Sequence, residues 1–113
     1  MVGLHREDKD GLTVLKLKGM LTSEEVHEVE MPFLSIADRP GARVVVDLGE
    51  VEMVTTPGLS MFIAAASRAK QSGGKLVFTE AKPPVSEILD RLRLNTVLTT
   101  VPTLDQAISQ ARV

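Results

Sequence analysis

The sequence predicts an α/β fold, a mixed and mostly parallel sheet of four to five strands with about four helices, in one domain over residues 1–113. Three observations predict it. From Val14 onward, segments with the two-residue alternation of strands take turns with segments whose apolar residues recur at helical spacing, the pattern of a parallel sheet joined by helical crossovers. Val44-Val45-Val46 is a continuous apolar run, as expected of a strand covered on both faces. Asp8-Lys9-Asp10-Gly11 is turn chemistry ahead of the first clear strand, so the chain opens with a hairpin that makes the sheet mixed.

Element by element, Val2 to Glu7 is a weak first strand. Thr13 to Lys18 is a half-buried one, with Leu15 and Leu17 on one face and Lys16 and Lys18 on the other. Thr22 with Glu25 three residues on is a capping box, so a helix starts there with Val26, Val29, Phe33 and Ile36 as its apolar stripe. Pro32 falls inside that helix, where it removes a backbone donor, so a kink or two short pieces are expected. The strand Val44–Val46 ends in Asp47-Leu48-Gly49. Leu59 to Ser72 is the next helix, with Leu59, Phe62, Ile63 and Ala66 as its stripe and Met61, Ala64 and Ala65 extending burial nearly all round. Arg68 and Lys70 suit its last turn, and Gly73 stops it. Lys75 to Phe78 is a strand. Pro83-Pro84 opens a helix with the stripe Val85, Ile88, Leu89 and Leu92, and Val97 to Thr99 is a short strand. Thr103 with Gln106 is a second capping box, ahead of a last helix carrying Leu104, Ala107, Ile108 and Ala111.

Composition narrows the function. Charged residues make up 25% of the chain with a net charge of -2 and no basic cluster, which argues against nucleic acid as partner. With three Phe and no Trp or Tyr, base-stacking platforms are missing as well. The absence of cysteine excludes disulfide and thiolate chemistry. The N-terminal MVGLHREDKDG lacks the apolar core of a signal peptide, and no apolar run approaches the ~20 residues of a bilayer span. A cytoplasmic protein without membrane insertion is expected.

The stretch VEMVTTPGLS, Val51 to Ser60, stands where a central strand should hand over to a helix, the usual meeting place for ligands and partners in such sheets. Thr56 suits the N-cap and Pro57 the first helical position, where its missing donor costs nothing. This local chemistry fits two readings. One is a capped helix and nothing more; the other is an exposed hydroxyl on a helix N-terminus, ready to carry a phosphate.

No other constellation is as suggestive. Glu24 and His27 have a metal-site spacing, but the further ligands that such sites need are missing, and a solvated face explains them and the neighbouring Glu25, Glu28 and Glu30. Gly73-Gly74-Lys75 leads into a strand instead of opening a helix, so it is no phosphate cradle. Neither His5 nor His27 sits in the local sequence of a nucleophile loop. Asp47, expected at the strand exit, is read as a hydrogen-bond acceptor for loop amides in preference to a general base. Met53 and Met61 flank the loop, as core filling or as an adaptable surface. No enzyme activity, metal or cofactor is expected.

The ordered set of landmarks resembles the STAS domain family, the anti-sigma factor antagonists and their relatives. The resemblance runs from about Leu12 to Ala107: Gly19-Met20-Leu21 after the second strand, Val44 to Leu48 followed by Val51, Gly58-Leu59 before an alanine-rich helix, Gly73-Gly74-Lys75-Leu76, and Pro84 through Leu94. It implies a regulator that captures a kinase-like anti-sigma factor, a serine-threonine kinase that releases the domain after phosphorylating it. Aligned on Gly58, the family's phosphoacceptor position falls on Thr56. Thr55 stands where the family has aspartate, Pro57 where it has a second hydroxyl, and Thr22 at its acidic position after the second strand. The expected partner surface is Asp47, Thr55, Thr56, Pro57, Gly58, Leu59 and Ser60. The alternative is a scaffold or accessory subunit of a transport or signalling complex, independent of phosphorylation. A homodimer is compatible with either.

Overall fold

The computed structural model describes residues 2–113. Its elements run in the order β1 (Val2–Lys9), β2 (Leu12–Leu21), α1 (Ser23–Ala37), β3 (Arg43–Val54), α2 (Thr56–Gln71), β4 (Lys75–Thr79), α3 (Val85–Arg91), a 3-10 turn (Leu94–Thr96), β5 (Thr99–Val101) and α4 (Leu104–Arg112). The five strands lie side by side in sequence order; β1 pairs antiparallel with β2, and all later pairs are parallel. The expected α/β class, strand count and helix count are all found. The hairpin turn is tighter than expected: only Asp10 and Gly11 are unpaired, and both take the positive φ that a two-residue turn requires.

Strand order in sequence fixes where the helices go. Successive parallel crossovers of one hand, each stepping to the next strand, put α1, α2 and α3 on the same face. That face carries the larger core, in which Leu15, Leu17, Val44, Val46 and Leu48 of the sheet meet Val29, Phe33, Phe62, Ala65 and Leu89 of the helices. All three phenylalanines lie in one row there, with ring centroids 6.1 Å apart for Phe33–Phe62 and 4.9 Å for Phe62–Phe78, so the few aromatics tie α1, α2 and β4 together. On the other face α4 lays Ala107 and Ala111 over Leu12, Val45 and Val77.

Several local expectations are corrected. Helix α1 runs unbroken through Pro32, which is exposed, because Val26, Val29, Phe33 and Ile36 stay buried on either side of it. At its start there is no capping box: the Thr22 hydroxyl donates to the Glu25 carboxylate instead of accepting from a backbone amide. Thr103 and Gln106 do form theirs. In α2 the buried stripe is Leu59, Met61, Phe62, Ala65 and Ala69, and Ile63 is exposed, so the helix is turned from the expected phase and is not buried all round. Leu92 ends α3 in solvent, and the last strand starts at Thr99 because Leu98 packs into the core while Val97 faces out.

The largest correction concerns β3. It does not end at Asp47-Leu48-Gly49 but continues to Val54, paired with β2 through two bulges, one between Lys16 and Lys18 and one between Gly19 and Met20. Each bulge inserts an extra β3 residue and bends the strand. As a result β3 outruns β4, whose pairing with it stops at Asp47–Thr79.

Candidate functional site

The ends of β2 and β3 lead into α1 and α2 at one end of the sheet, with Leu21 in register with Val54. Thr55 joins the two strands there. Its backbone amide donates to the Leu21 carbonyl at 3.2 Å, and its hydroxyl donates to the same oxygen at 3.3 Å. That hydroxyl is therefore committed to β2 and caps nothing, although Thr55 and not Thr56 is the N-cap residue of α2. The expected assignment shifts by one: Thr56 is the first helical residue and Pro57 the second.

The first intrahelical bond runs from the Leu59 amide to the Thr55 carbonyl at 3.0 Å. The amides of Thr56 and Gly58 come before it and have no intrahelical partner, while Pro57 has no amide to satisfy. Among the described residues no side chain caps this end, and its first turn holds no acid. A 16-residue helix thus presents an uncompensated positive end beside an exposed threonine hydroxyl.

Gly58 is what brings the helix so close. A Cβ at this position would lie 2.6 Å from Val54 Cγ2 and 3.0 Å from the Leu21 carbonyl oxygen, so only glycine lets the first turn of α2 press on the strand ends. Leu59 is buried beneath the turn, and Ser60 is exposed on its outer side. The structure therefore brings Thr55, Thr56, Pro57, Gly58, Leu59 and Ser60 together as one surface feature.

Asp47 does not join them. It lies inside β3, buried, in register with Lys16 and Thr79, and its Oδ1 accepts from the Gly49 amide at 2.8 Å. The expectation that it sits at the strand exit fails because β3 continues past it; its role as an acceptor for a nearby amide is what the geometry gives. Met61 is core, at 1% exposure. Met53 is half-buried at the end of β3, and opposite it in register stands Met20 of β2, exposed to 40%, which the sequence reading passed over. The signal was there: Met20 continues the alternation of Lys16 and Lys18, so it faces the same open side of the sheet. No group of three His, Cys, Asp or Glu among the described residues could hold a metal ion, and His27 and Glu24 are exposed on α1.

Known proteins share this fold. Residues 4–101 match the family described as Mlab, STAS domain, a span that holds β2 to β5, most of β1 and the whole β3–α2 junction. BtrV of Bordetella bronchiseptica, whose name reads "Putative anti-sigma factor antagonist", is 31% identical over 81 residues, which cover 72% of this chain and 70% of BtrV. Among solved structures, an anti-sigma factor antagonist from Mycobacterium paratuberculosis has a similar fold with a TM-score of 0.88 at 24% identity, covering 100% of this chain and 96% of that one. The anti-sigma factor antagonist SpoIIAA in its unphosphorylated form gives a TM-score of 0.71 at 12% identity, covering 97% and 98%. SpoIIAA of Bacillus in its phosphorylated form gives 0.68 at 11%, covering 96% and 98%.

Proposed function

This chain belongs to the STAS domain family, and we propose that it works without catalysis of its own, as an anti-sigma factor antagonist whose docking surface is the β3–α2 junction from Thr55 to Ser60. The partner is an anti-sigma factor of the serine-threonine kinase type, and Thr56 is the residue that it phosphorylates. One observation carries this reading: Thr56 is exposed at the first position of a long helix that nothing caps, on a turn held rigid by Gly58 and by the two Thr55 bonds to Leu21.

The chemistry is a phosphoryl transfer. Thr56 Oγ1 attacks the γ-phosphorus of the kinase-bound ATP, the bond to the β-phosphate oxygen breaks, ADP leaves, and the hydroxyl proton passes to the kinase. The product carries about -1.5 to -2 charges on a helix end that favours anions, so the fold tolerates it. A like charge on the partner ~5 Å away, at an effective dielectric of ~20, would oppose binding by roughly 3 kcal/mol, or about a hundredfold in affinity. Release then needs no change of fold.

A second reading, a constitutive scaffold or accessory subunit, is favoured by the make-up of the turn. It holds no carboxylate, the Thr55 hydroxyl is tied to Leu21, and Pro57 stiffens the position after Thr56. The experiment that separates the two is incubation of the protein with the anti-sigma kinases of its own genome and ATP, with binding measured for the native chain and Thr56→Glu. Phosphate on Thr56 and an affinity at least tenfold lower for the variant are expected. An unlabelled Thr56, together with equal binding by both proteins, would reject the switch and leave the scaffold.

A further inference from the structure

We infer that Glu25, held by the Thr22 hydroxyl, is a specificity-determining acid of the junction, read by a basic group of the kinase that modifies Thr56. The inference rests on the reading above that such a kinase docks at the β3–α2 junction. It adds a side chain outside the Thr55–Ser60 turn that the kinase must find there.

The topology sets Glu25 beside the turn. Helices α1 and α2 share one face of the sheet, meet through Phe33 and Phe62, and start from neighbouring strand ends. Leu21 and Val54 are in register, and the Leu21 carbonyl takes both Thr55 bonds. Neighbouring strands stand about 4.8 Å apart. The two helix starts, Thr22-Ser23 and Thr55-Thr56, therefore lie side by side. Glu25 is in the first turn of α1, and the Thr22 hydroxyl donates to its carboxylate. That bond draws the charge back to the start of α1, next to Thr55. Both partners are half-buried, whereas the adjacent Glu24 is exposed.

The fold gives this carboxylate an orientation but no cation. A capping Thr22 would have satisfied a backbone amide of α1. Its hydroxyl fixes Glu25 instead, and a charge already ordered costs a partner less to bind. The ion pairs among the described residues engage Asp8, Glu50 and Asp38, not Glu25. No Lys or Arg occurs from Gly19 to Asp38 or from Val44 to Ser67, the two passages that build this end. Lys16 and Lys18 project from the opposite face of β2, 3.4 and 4.0 Å from Glu50. Lys82 reaches only to Gly49, short of the strand end, and His27 is exposed farther along α1. The first turn of α2 holds no acid, so the fixed negative charge beside Thr56 comes from α1. Its complement on the kinase is basic.

The experiment measures Thr56 phosphorylation by the anti-sigma kinases of the same genome for native, Glu25→Gln, Thr22→Val and Glu24→Gln chains. Urea unfolding of each variant runs alongside. Glu25→Gln is expected to raise KM roughly tenfold with kcat nearly unchanged. Thr22→Val keeps the charge but frees it, and is expected to raise KM about threefold. Glu24→Gln is expected to stay within about twofold of native, as an exposed charge does. Native KM in Glu25→Gln, with Thr56 still labelled, would overturn the inference and leave the junction reading intact. Equal losses in Glu24→Gln and Glu25→Gln would also overturn it, because net charge and not the fixed carboxylate would then be read. So would a loss in Glu25→Gln that merely follows its loss of folded protein in urea. A native chain that no such kinase labels would overturn both readings.

Discussion

Within the junction, Thr56 and Gly58 lie two residues apart and do opposite things. The Thr56 side chain is exposed and makes no hydrogen bond among the described residues, so its replacement changes chiefly what the surface offers. Gly58 offers nothing to a partner, yet a single added methyl meets Val54 Cγ2 at 2.6 Å and the Leu21 carbonyl at 3.0 Å. Because one of those neighbours is backbone, the helix must shift away. Gly58→Ala is therefore expected to cost about 1–3 kcal/mol in urea unfolding, with a displaced first turn of α2; an unchanged midpoint would mean that the strand ends yield more easily than their packing suggests. The sequence could point to a threonine on a helix start, because cap chemistry is local. It could not tell which threonine, because Thr55 is claimed by a carbonyl 34 residues earlier in the chain.

At the scale of elements, α1 and β3 show packing overriding local preference in two ways. Pro32 sits exposed inside α1, removing one donor, yet the buried face of Val29, Phe33 and Ile36 holds the turns on both sides in one helix. Its intrinsic penalty of about 3 kcal/mol against alanine is partly offset by the stiffness it lends the unfolded chain, so Pro32→Ala is expected to stabilise the protein by roughly 2 kcal/mol in urea unfolding. Lost stability would show that the helix is bent to fit the proline. In β3 the apolar run Val44–Val46 marked the strand correctly but not its length. The residues after Asp47 break strict alternation, and only pairing with β2 through two bulges keeps them in the sheet. That extension carries the handover to α2 beyond β4 and leaves Asp47 behind it.

Across the whole molecule, the end of the sheet opposite the junction is cross-linked by a polar chain. Arg39, after α1, donates to Thr13 Oγ1 at 3.0 Å, and Thr13 donates to Asp8 Oδ1 at 2.7 Å; Arg6 approaches the same carboxylate at 3.1 Å. The Thr13 bond, with help from Arg6, holds the Asp8 carboxyl below its ordinary value of 3.8. The folded state therefore favours the charged form, the unfolded chain takes up the proton first, and the contribution present above about pH 4 fades as pH falls through the lowered value. Asp8→Asn is expected to be less stable than the native chain at neutral pH, with the gap closing as pH falls below the lowered value of the carboxyl in chemical unfolding. A gap that persists in acid would mean that the bond matters through geometry and not charge.

Element order, fold class and the placing of a hydroxyl-bearing junction before a buried helix were determined by the sequence itself, since alternation, helical spacing and turn chemistry act over a few neighbouring residues. Only the tertiary structure decided the bulges that carry β3 past Asp47, the bond that takes Thr55 out of capping, and the meeting of Met20 with Met53 on the uncovered side of the sheet. Each of these joins residues more than thirty positions apart. Their partners are chosen by strand register and by which sheet face the last helix leaves open, and no local pattern encodes either.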